Sequence, residues 1–393
     1  MQNTPKSLRL QIAILGKVNA GKSSFLNLMT GQDVAIVSEI AGTTTDIVEK
    51  AQELHALGPV LWLDTAGFGD ETQLSDKRLE RTLKVLNRSD VAILICENGK
   101  IGETEEEIIR LTQEKKIPLI KVFNQKEKCG VQVSKEGITL NMLDRSERLS
   151  AVSAVQNALI NVCPEEFLSQ PAMLGDLVSS GSIIVMIVPV DYEAPKGRLI
   201  MPQVQAIRDC LDHDQMIMVV KETDYLKALK SLKKAPDLVV CDSQVVKFMV
   251  ENTPSNVKCT TFSVLMARLK GDLNTFAKGA EAMWRLKDGD KVLIAESCTH
   301  HAADDDIGRV KIPNLMKAKT GKELVFEHIA GCDFAQNLKD YKLIVQCGGC
   351  TQNRRAILSR IALAQNAGVP ITNYGICLSE LNGVLSRVLE PFK

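Results

Sequence analysis

Short apolar runs separated by amphipathic stretches recur along the whole chain. In the first part the runs are Leu8–Leu15, Val60–Leu63, Val91–Cys96, Ile117–Phe123 and Leu149–Val152. Each has strand length, and helix-period stretches lie between most of them. That alternation predicts a mostly parallel sheet covered by helices. A second group opens after the polar, glycine-containing stretch Ser179–Ser182, with Ile183–Val190. Met216–Val220, Leu238–Cys241 and Lys258–Phe262 follow as strands, with helical patterns over Pro202–Leu211 and Thr223–Lys233. The third group has strands Lys291–Glu296 and Tyr341–Gln346 and helices Phe276–Leu286 and Asn353–Gln365. The pattern predicts three α/β domains, 1–172, 173–266 and 267–393. If Ile183–Val190 lies at a sheet edge, its unpaired backbone can pair with a second copy.

Composition narrows the class. The chain has 393 residues, 45% hydrophobic and 24% charged, the profile of a multidomain globular protein. Forty-eight basic residues balance 48 acidic ones, which removes the broad basic footprint of a nucleic-acid binder. No apolar run approaches the ~18 residues of a membrane helix, and Met1–Gly16 reads without a cleavable signal, so the expected location is cytoplasmic. Eleven scattered cysteines in a reducing compartment argue against a disulfide framework. Most are expected to be small buried hydrophobes.

Gly16-Lys17-Val18-Asn19-Ala20-Gly21-Lys22-Ser23 fits GxxxxGK[ST] at every fixed position. It stands between an apolar strand and a helical stretch beginning at Ser24, the context the motif requires. The glycines let backbone N–H groups face phosphate oxygens, and the following helix adds the positive end of its dipole. Lys22 reaches the β- and γ-phosphates, and Ser23 offers its hydroxyl to Mg²⁺. Asp64-Thr65-Ala66-Gly67 ends the next strand; Asp64 holds Mg²⁺ through water, and the Gly67 N–H meets the γ-phosphate. In Gly42-Thr43-Thr44-Thr45-Asp46, Thr44 is the candidate switch ligand to Mg²⁺. Asn124-Gln125-Lys126-Glu127 stands where Asn-Lys-x-Asp reads guanine. Gln125 replaces the lysine, and Glu127 replaces the aspartate with a carboxylate one methylene further out, which puts guanine selectivity in question. Ser153 and Ala154, after the last expected strand, are assigned to the final base-contacting loop.

This order of segments resembles the TrmE- and Era-type GTPases. The resemblance implies GTP as ligand and a K⁺-coordinating role for Asn19. Phe68 stands where Ras-type enzymes keep a catalytic Gln, which implies slow hydrolysis stimulated by K⁺ or a partner.

Cys298-Thr299-His300 follows one strand of the third group, and Cys347-Gly348-Gly349-Cys350 follows another, with 46 residues between His300 and Cys347. Ligands gather beyond the carboxyl ends of strands in α/β domains, so the two groups are expected to meet. Three cysteines leave one corner of a 4Fe–4S cluster open, for His300, a carboxylate, water or an incoming complex. Spacing alone fits a Cys₃His zinc site equally well. An RNA- or ribosome-associated GTPase with a zinc-stabilised C-terminal domain is therefore the alternative.

The GTPase motifs, the middle βα region and CxHx46CxxC together resemble the FeFe-hydrogenase maturation GTPase family, HydF. The stretch Ala194–Gln203 is similar to the family's entry into its dimerisation domain. The resemblance implies a P-loop GTPase domain, a small βα dimerisation domain and an α/β iron–sulfur domain. It implies a homodimeric scaffold whose 4Fe–4S cluster is held by Cys298, Cys347 and Cys350, with His300 as fourth or neighbouring ligand. It further implies that the scaffold accepts a di-iron precursor made with radical-SAM maturases. The precursor then passes to apo FeFe-hydrogenase, and GTP turnover modulates partner contacts.

Overall fold

In a computed structural model the described residues are 4–17, 19–31, 48–54, 57–64, 82–97, 99–125, 127, 129–164, 171–190, 196–297, 306–331, 334 and 337–393. The chain forms two compact units, Met1–Gln170 and Pro171–Lys393.

The first unit is built on a seven-stranded sheet of order β2-β3-β1-β4-β5-β7-β6. Its strands are β1 (Leu10–Leu15), β2 (Val48–Leu54), β3 (Gly58–Asp64), β4 (Val91–Glu97), β5 (Leu119–Asn124), β6 (Gln132–Val133) and β7 (Ile138–Leu140). The central run β3-β1-β4-β5-β7 is parallel, and antiparallel β2 and β6 close the two edges. β1 is buried at every position because both faces of the sheet are covered. Alternate residues serve two cores: Ile12, Ile14 and Trp62 face Phe25 and Leu28 of α1 (Lys22–Thr30), while Ala13, Leu15 and Leu63 face Ile108 and Leu111 of α2 (Glu103–Glu114).

One expected strand is corrected. Leu149–Val152 lies in the helix α3 (Arg148–Val162). Its buried residues Ala151, Val155 and Leu159 recur every four positions, and Leu149 is 80% exposed. The four-residue apolar window caught one turn of a longer helical period. The sheet is extended past β5 by β7 instead.

The second unit holds two four-stranded parallel sheets. The order of the first is β11-β10-β8-β9, from β8 (Ile183–Ile187), β9 (Met216–Val220), β10 (Leu238–Cys241) and β11 (Lys258–Thr261). β8 is therefore internal, paired on both sides, and is not the edge that sequence left open. The edges are β11 and β9, and β9 exposes Met216 and Val219. Three helices connect these strands: α4 (Met201–Asp212), α5 (Tyr225–Ser231) and α6 (Val246–Asn252). The order of the second sheet is β13-β12-β14-β15, from β12 (Lys291–Ala295), β13 (Val325–Ile329), β14 (Leu343–Gln346) and β15 (Ile371–Asn373).

The two sheets share a core. Val185, Val239 and Cys259 of one and Leu293, Ile344 and Ile371 of the other belong to a single buried cluster. α7 (Phe262–Lys270) leaves β11 and serves both sides. Its Val264 and Ala267 join that shared cluster, while Phe262, Leu265 and Met266 cover the opposite face of the first sheet. α8 (Leu273–Glu281), α9 (Ile312–Thr320), α10 (Arg354–Asn366), α11 (Tyr374–Leu381) and the short α12 (Leu385–Val388) are its other described α-helices.

Candidate functional sites: a phosphate loop and a cysteine loop

The strand order in the first unit sets its site. β1 lies between β3 and β4, the switch point where parallel α/β sheets open a crevice at their carboxyl ends. The loop after β1 occupies that crevice. Gly21 caps α1 with φ +104°, and a Cβ there would sit 2.7 Å from Nδ2 of Asn124. Only glycine satisfies both demands. Asn19 is exposed with φ +62°, a left-handed conformation asparagine tolerates better than most residues. Lys22 is 7% exposed, and its Nζ donates to the carbonyls of Gly16 (3.0 Å) and Lys17 (2.7 Å). Its ammonium thus points back over the loop that would wrap a phosphate. Ser23 Oγ lies 3.4 Å from Oδ2 of the fully buried Asp64, so the two Mg²⁺ candidates meet where the first turn of α1 faces the end of β3. Ala20 is buried and Ser24 half-buried.

Asn124, at the end of β5, ties the site together. Its Nδ2 donates to the Ala20 carbonyl (3.1 Å), and its Oδ1 accepts from the Met142 N–H (3.3 Å). Met142 follows β7. The loop that completes this edge is therefore Asn141–Asp144. Ser153 and Ala154 lie inside α3, which corrects their assignment to a loop after a strand. The signal for β7 was only three residues, Ile138-Thr139-Leu140, too short to separate from loop by pattern. Glu127 is exposed, and its carbonyl lies 3.5 Å from Asn141 Nδ2. A cavity of about 280 Å³ opens beside this edge between α1 and the start of α3, lined by Ser24, Asn27, Met142, Leu143, Arg145 and Arg148. Thr44 and Gly67 lie outside the described residues.

The second unit places the cysteine loop at the carboxyl end of β14. β12 and β14 are adjacent and parallel, with Ala295 opposite Gln346. One residue further, the Cys347 N–H donates to the Ala295 carbonyl (2.9 Å). The Ser297 N–H then donates to Cys347 Sγ (3.1 Å), and that sulfur lies 3.1 Å from Ser297 Oγ. Ser297 is the residue before Cys298, so the chain leading into the first cysteine motif reaches Cys347 at this sheet edge. Cys298 and His300 themselves lie outside the described residues. Among the described residues no group of three or more His, Cys, Asp or Glu converges.

Gly349 turns the loop at φ +62°, where a Cβ would press on Ile357 of α10 at 2.5 Å. Cys347 and Cys350 are half-buried. Burial, then the neighbouring Cys347, holds the Cys350 thiol above its ordinary value, and Lys270 pulls it down. Lys270 is 3% exposed and donates to the carbonyls of Gly349 (3.1 Å), Cys350 (3.1 Å) and Gln352 (2.8 Å). Burial pushes its ammonium down to about 8, against the pull of Cys350 and Cys347. Sequence reasoning missed Lys270; nothing local to Arg268-Leu269-Lys270 marks it. The donor chemistry suits an iron–sulfur cluster: soft sulfur ligands, an amide N–H aimed at sulfur and a buried cation beside the cysteine loop.

Comparison with known proteins bears on both sites. Residues 11–125 match the model of the 50S ribosome-binding GTPase domain. Residues 173–271 match the hydrogen maturase F dimerization domain, and residues 274–391 the hydrogen maturase F tetramerization domain. GTPase Der of Kosmotoga olearia is 29% identical over 198 residues, 48% of this chain and 41% of its own length. The tRNA modification GTPase MnmE of Legionella pneumophila is 39% identical over 119 residues, 30% of this chain and 26% of its own. The chain thus spans well under half the length of these curated relatives. Era of Aquifex aeolicus bound to GDP and AlF₄⁻ aligns over 82% of this chain and 94% of its own, at 15% identity and a TM-score of 0.25. Among the described residues no helix is long and apolar enough to cross a membrane. With both hydrogen maturase F domains matched in tandem behind a GTPase domain, the chain belongs to the hydrogen maturase F (HydF) family.

Proposed function

We propose that this chain is a cytoplasmic GTPase scaffold that carries a 4Fe–4S cluster and delivers a di-iron precursor to apo FeFe-hydrogenase. The observation that carries the reading is the 3.1 Å contact of the Ser297 N–H with Cys347 Sγ, on a chain that belongs to this family. It supports the reading because Ser297, the residue before Cys298, touches the first cysteine of CxxC.

Three working segments follow the sequence division: 1–172 for nucleotide, 173–266 for dimerisation and 267–393 for the cluster. In the first, Gly16, Ala20, Gly21 and Ser24 form the phosphate cradle. Lys22 neutralises the β- and γ-phosphates, and Ser23, Thr44 and Asp64 hold Mg²⁺, the last through water. Gly67 senses the γ-phosphate, Asn19 takes K⁺, and Asn124 with Glu127 faces the base. Ordering of residues 40–46 and 64–71 by GTP·Mg²⁺ would bias docking to the radical-SAM maturases and to the hydrogenase. In the second segment β9 is an edge strand, and its exposed Met216 and Val219 suit pairing with a second copy.

In the third, Cys298, Cys347 and Cys350 would hold the cluster, with His300 beside the open corner. A cluster bound there supplies one iron with an exchangeable position. The chain's own part is to fix the loop, offer the Ser297 N–H to sulfur and exclude water from the buried side.

The test is metal and acid-labile sulfide analysis of anaerobically reconstituted chain, with EPR of the reduced sample. About four irons and four sulfides per chain, with a signal lost in Cys298→Ser, are expected. One zinc and no sulfide would overturn the cluster reading and favour the RNA- or ribosome-associated GTPase.

A further inference from the structure

A buried ammonium without a carboxylate partner is unusual, because removing a charge from water costs several kcal/mol unless something compensates it. Lys270 is 3% exposed, and its three N–H donors meet three carbonyls, all in the stretch from Gly349 to Gln352. That saturates its hydrogen bonding but leaves its charge unanswered. The titratable groups that act on it are Cys350 and Cys347. Among the described residues its donations go to backbone carbonyls and to no Asp or Glu. The connection runs both ways. Arg354, at the start of α10, donates back to the carbonyls of Leu269 (2.7 Å) and Gly271 (3.4 Å) on either side of Lys270. The last turn of α7 and the cysteine loop are thus cross-linked through two cations pointing in opposite directions. α7 is rooted in the core of the β8–β11 sheet through Phe262, Leu265 and Met266.

We propose that Lys270 is a positioning residue for the cysteine loop: it anchors Gly349–Gln352 to α7 and sets a fixed positive charge beside the cluster-binding sulfurs. The anchor comes from the segment matched as the dimerisation domain, which ends at residue 271, and so passes the position of the middle sheet to the sulfurs. A buried ammonium held at the cysteine loop favours an anionic ligand there. The inference rests on the cluster reading for its second half alone; the anchor is a property of the apo chain.

The experiment uses the full chain, as wild type, Lys270→Met and Lys270→Arg, with GTP hydrolysis as the control for the first unit. Hydrogen exchange of the apo chain reads the anchor, and an EPR-monitored redox titration of the reconstituted chain reads the charge. With the anchor lost, loop amides near Gly349–Asn353 are expected to exchange about tenfold faster in Lys270→Met, the effect of losing ~1.4 kcal/mol of local stability. The cluster's midpoint potential is expected to fall, since a neighbouring cation favours the reduced, more negative state. Lys270→Arg is expected to restore both. Unchanged exchange and unchanged potential in Lys270→Met would overturn the proposal. Faster exchange at unchanged potential would keep the anchor and overturn the charge. Wild type without iron would refute the cluster reading, and exchange would still decide the anchor. Where Lys270→Met does not fold, Lys270→Gln keeps N–H donors without charge and carries the same two measurements.

Discussion

Asn124 offers the sharpest test of the nucleotide site. Its carboxamide makes two bonds, a donation to the Ala20 carbonyl at 3.1 Å and an acceptance from the Met142 N–H at 3.3 Å. One reaches the phosphate loop and the other the loop after β7, so a single side chain sets their spacing. Each bond contributes about 0.5–1.5 kcal/mol net, so Asn124→Ala should cost about 1–3 kcal/mol. If that cost falls on the bound state, affinity for a fluorescent guanine nucleotide drops about 5- to 150-fold. Asn124→Asp separates the bonds. It keeps the acceptor for Met142 and replaces the donor with an oxygen facing the Ala20 carbonyl. It should therefore weaken binding at least as much as removing the donor alone. Equilibrium titration gives the affinity, and thermal unfolding of the nucleotide-free chain shows how much of the loss is structural. If both variants bind within about twofold of wild type, the spacing argument is refuted and Asn124 merely fills the edge of the sheet.

Other expectations follow from the same geometry. Lys22→Ala removes the ammonium over Gly16 and Lys17 and should abolish hydrolysis while iron content stays intact; Cys347→Ser should reverse that pattern. Loss of both properties in either folded variant would show that the two sites are not separable. Gly349→Ala forces a left-handed alanine against Ile357 and should cost about 1–2 kcal/mol from the backbone alone, read as a lower melting temperature of the second unit. An unshifted melt would mean that the loop has another conformation. Glu49 gives a pH test: burial works against its ionisation, but Arg88 (2.7 Å) and Lys6 (2.5 Å) outweigh it and hold its carboxyl below its ordinary value. A depressed carboxyl stabilises the fold above the unfolded value and loses that contribution as pH falls through the folded one. Glu49→Gln should therefore cost about 1 kcal/mol near neutral pH and nothing once the carboxyl is protonated in the folded chain; an equal cost in both conditions would refute the ion-pair account.

Much of this protein is legible without coordinates, because its chemistry is local in sequence. GxxxxGKS, Asp64 at one strand end and Asn124 at another declare the phosphate site, since backbone curl, cation and Mg²⁺ ligand lie within a few residues or at predictable strand termini. β9 and β10 occupy the spans their apolar runs predict. What failed were elements whose signal is tertiary. β7 is three residues long, and polar β2 shows no apolar run because it borrows its pairing from β3. Leu149–Val152 misled for the opposite reason: four residues cannot distinguish a strand from one turn of α3.

The motifs and their order are written in the chain, because these depend on residue type and on spacings the backbone imposes locally. Its sequence also placed two cysteine groups just after expected strands. Only the tertiary structure decided that β12 and β14 are neighbours, which brings Ser297 to Cys347 across 50 residues. It alone decided that β8 is internal and that Met142 completes the nucleotide edge. It alone brought Lys270 to carbonyls 79–82 residues away. Strand order and burial are collective outcomes of packing all the apolar faces at once, and no local pattern encodes them.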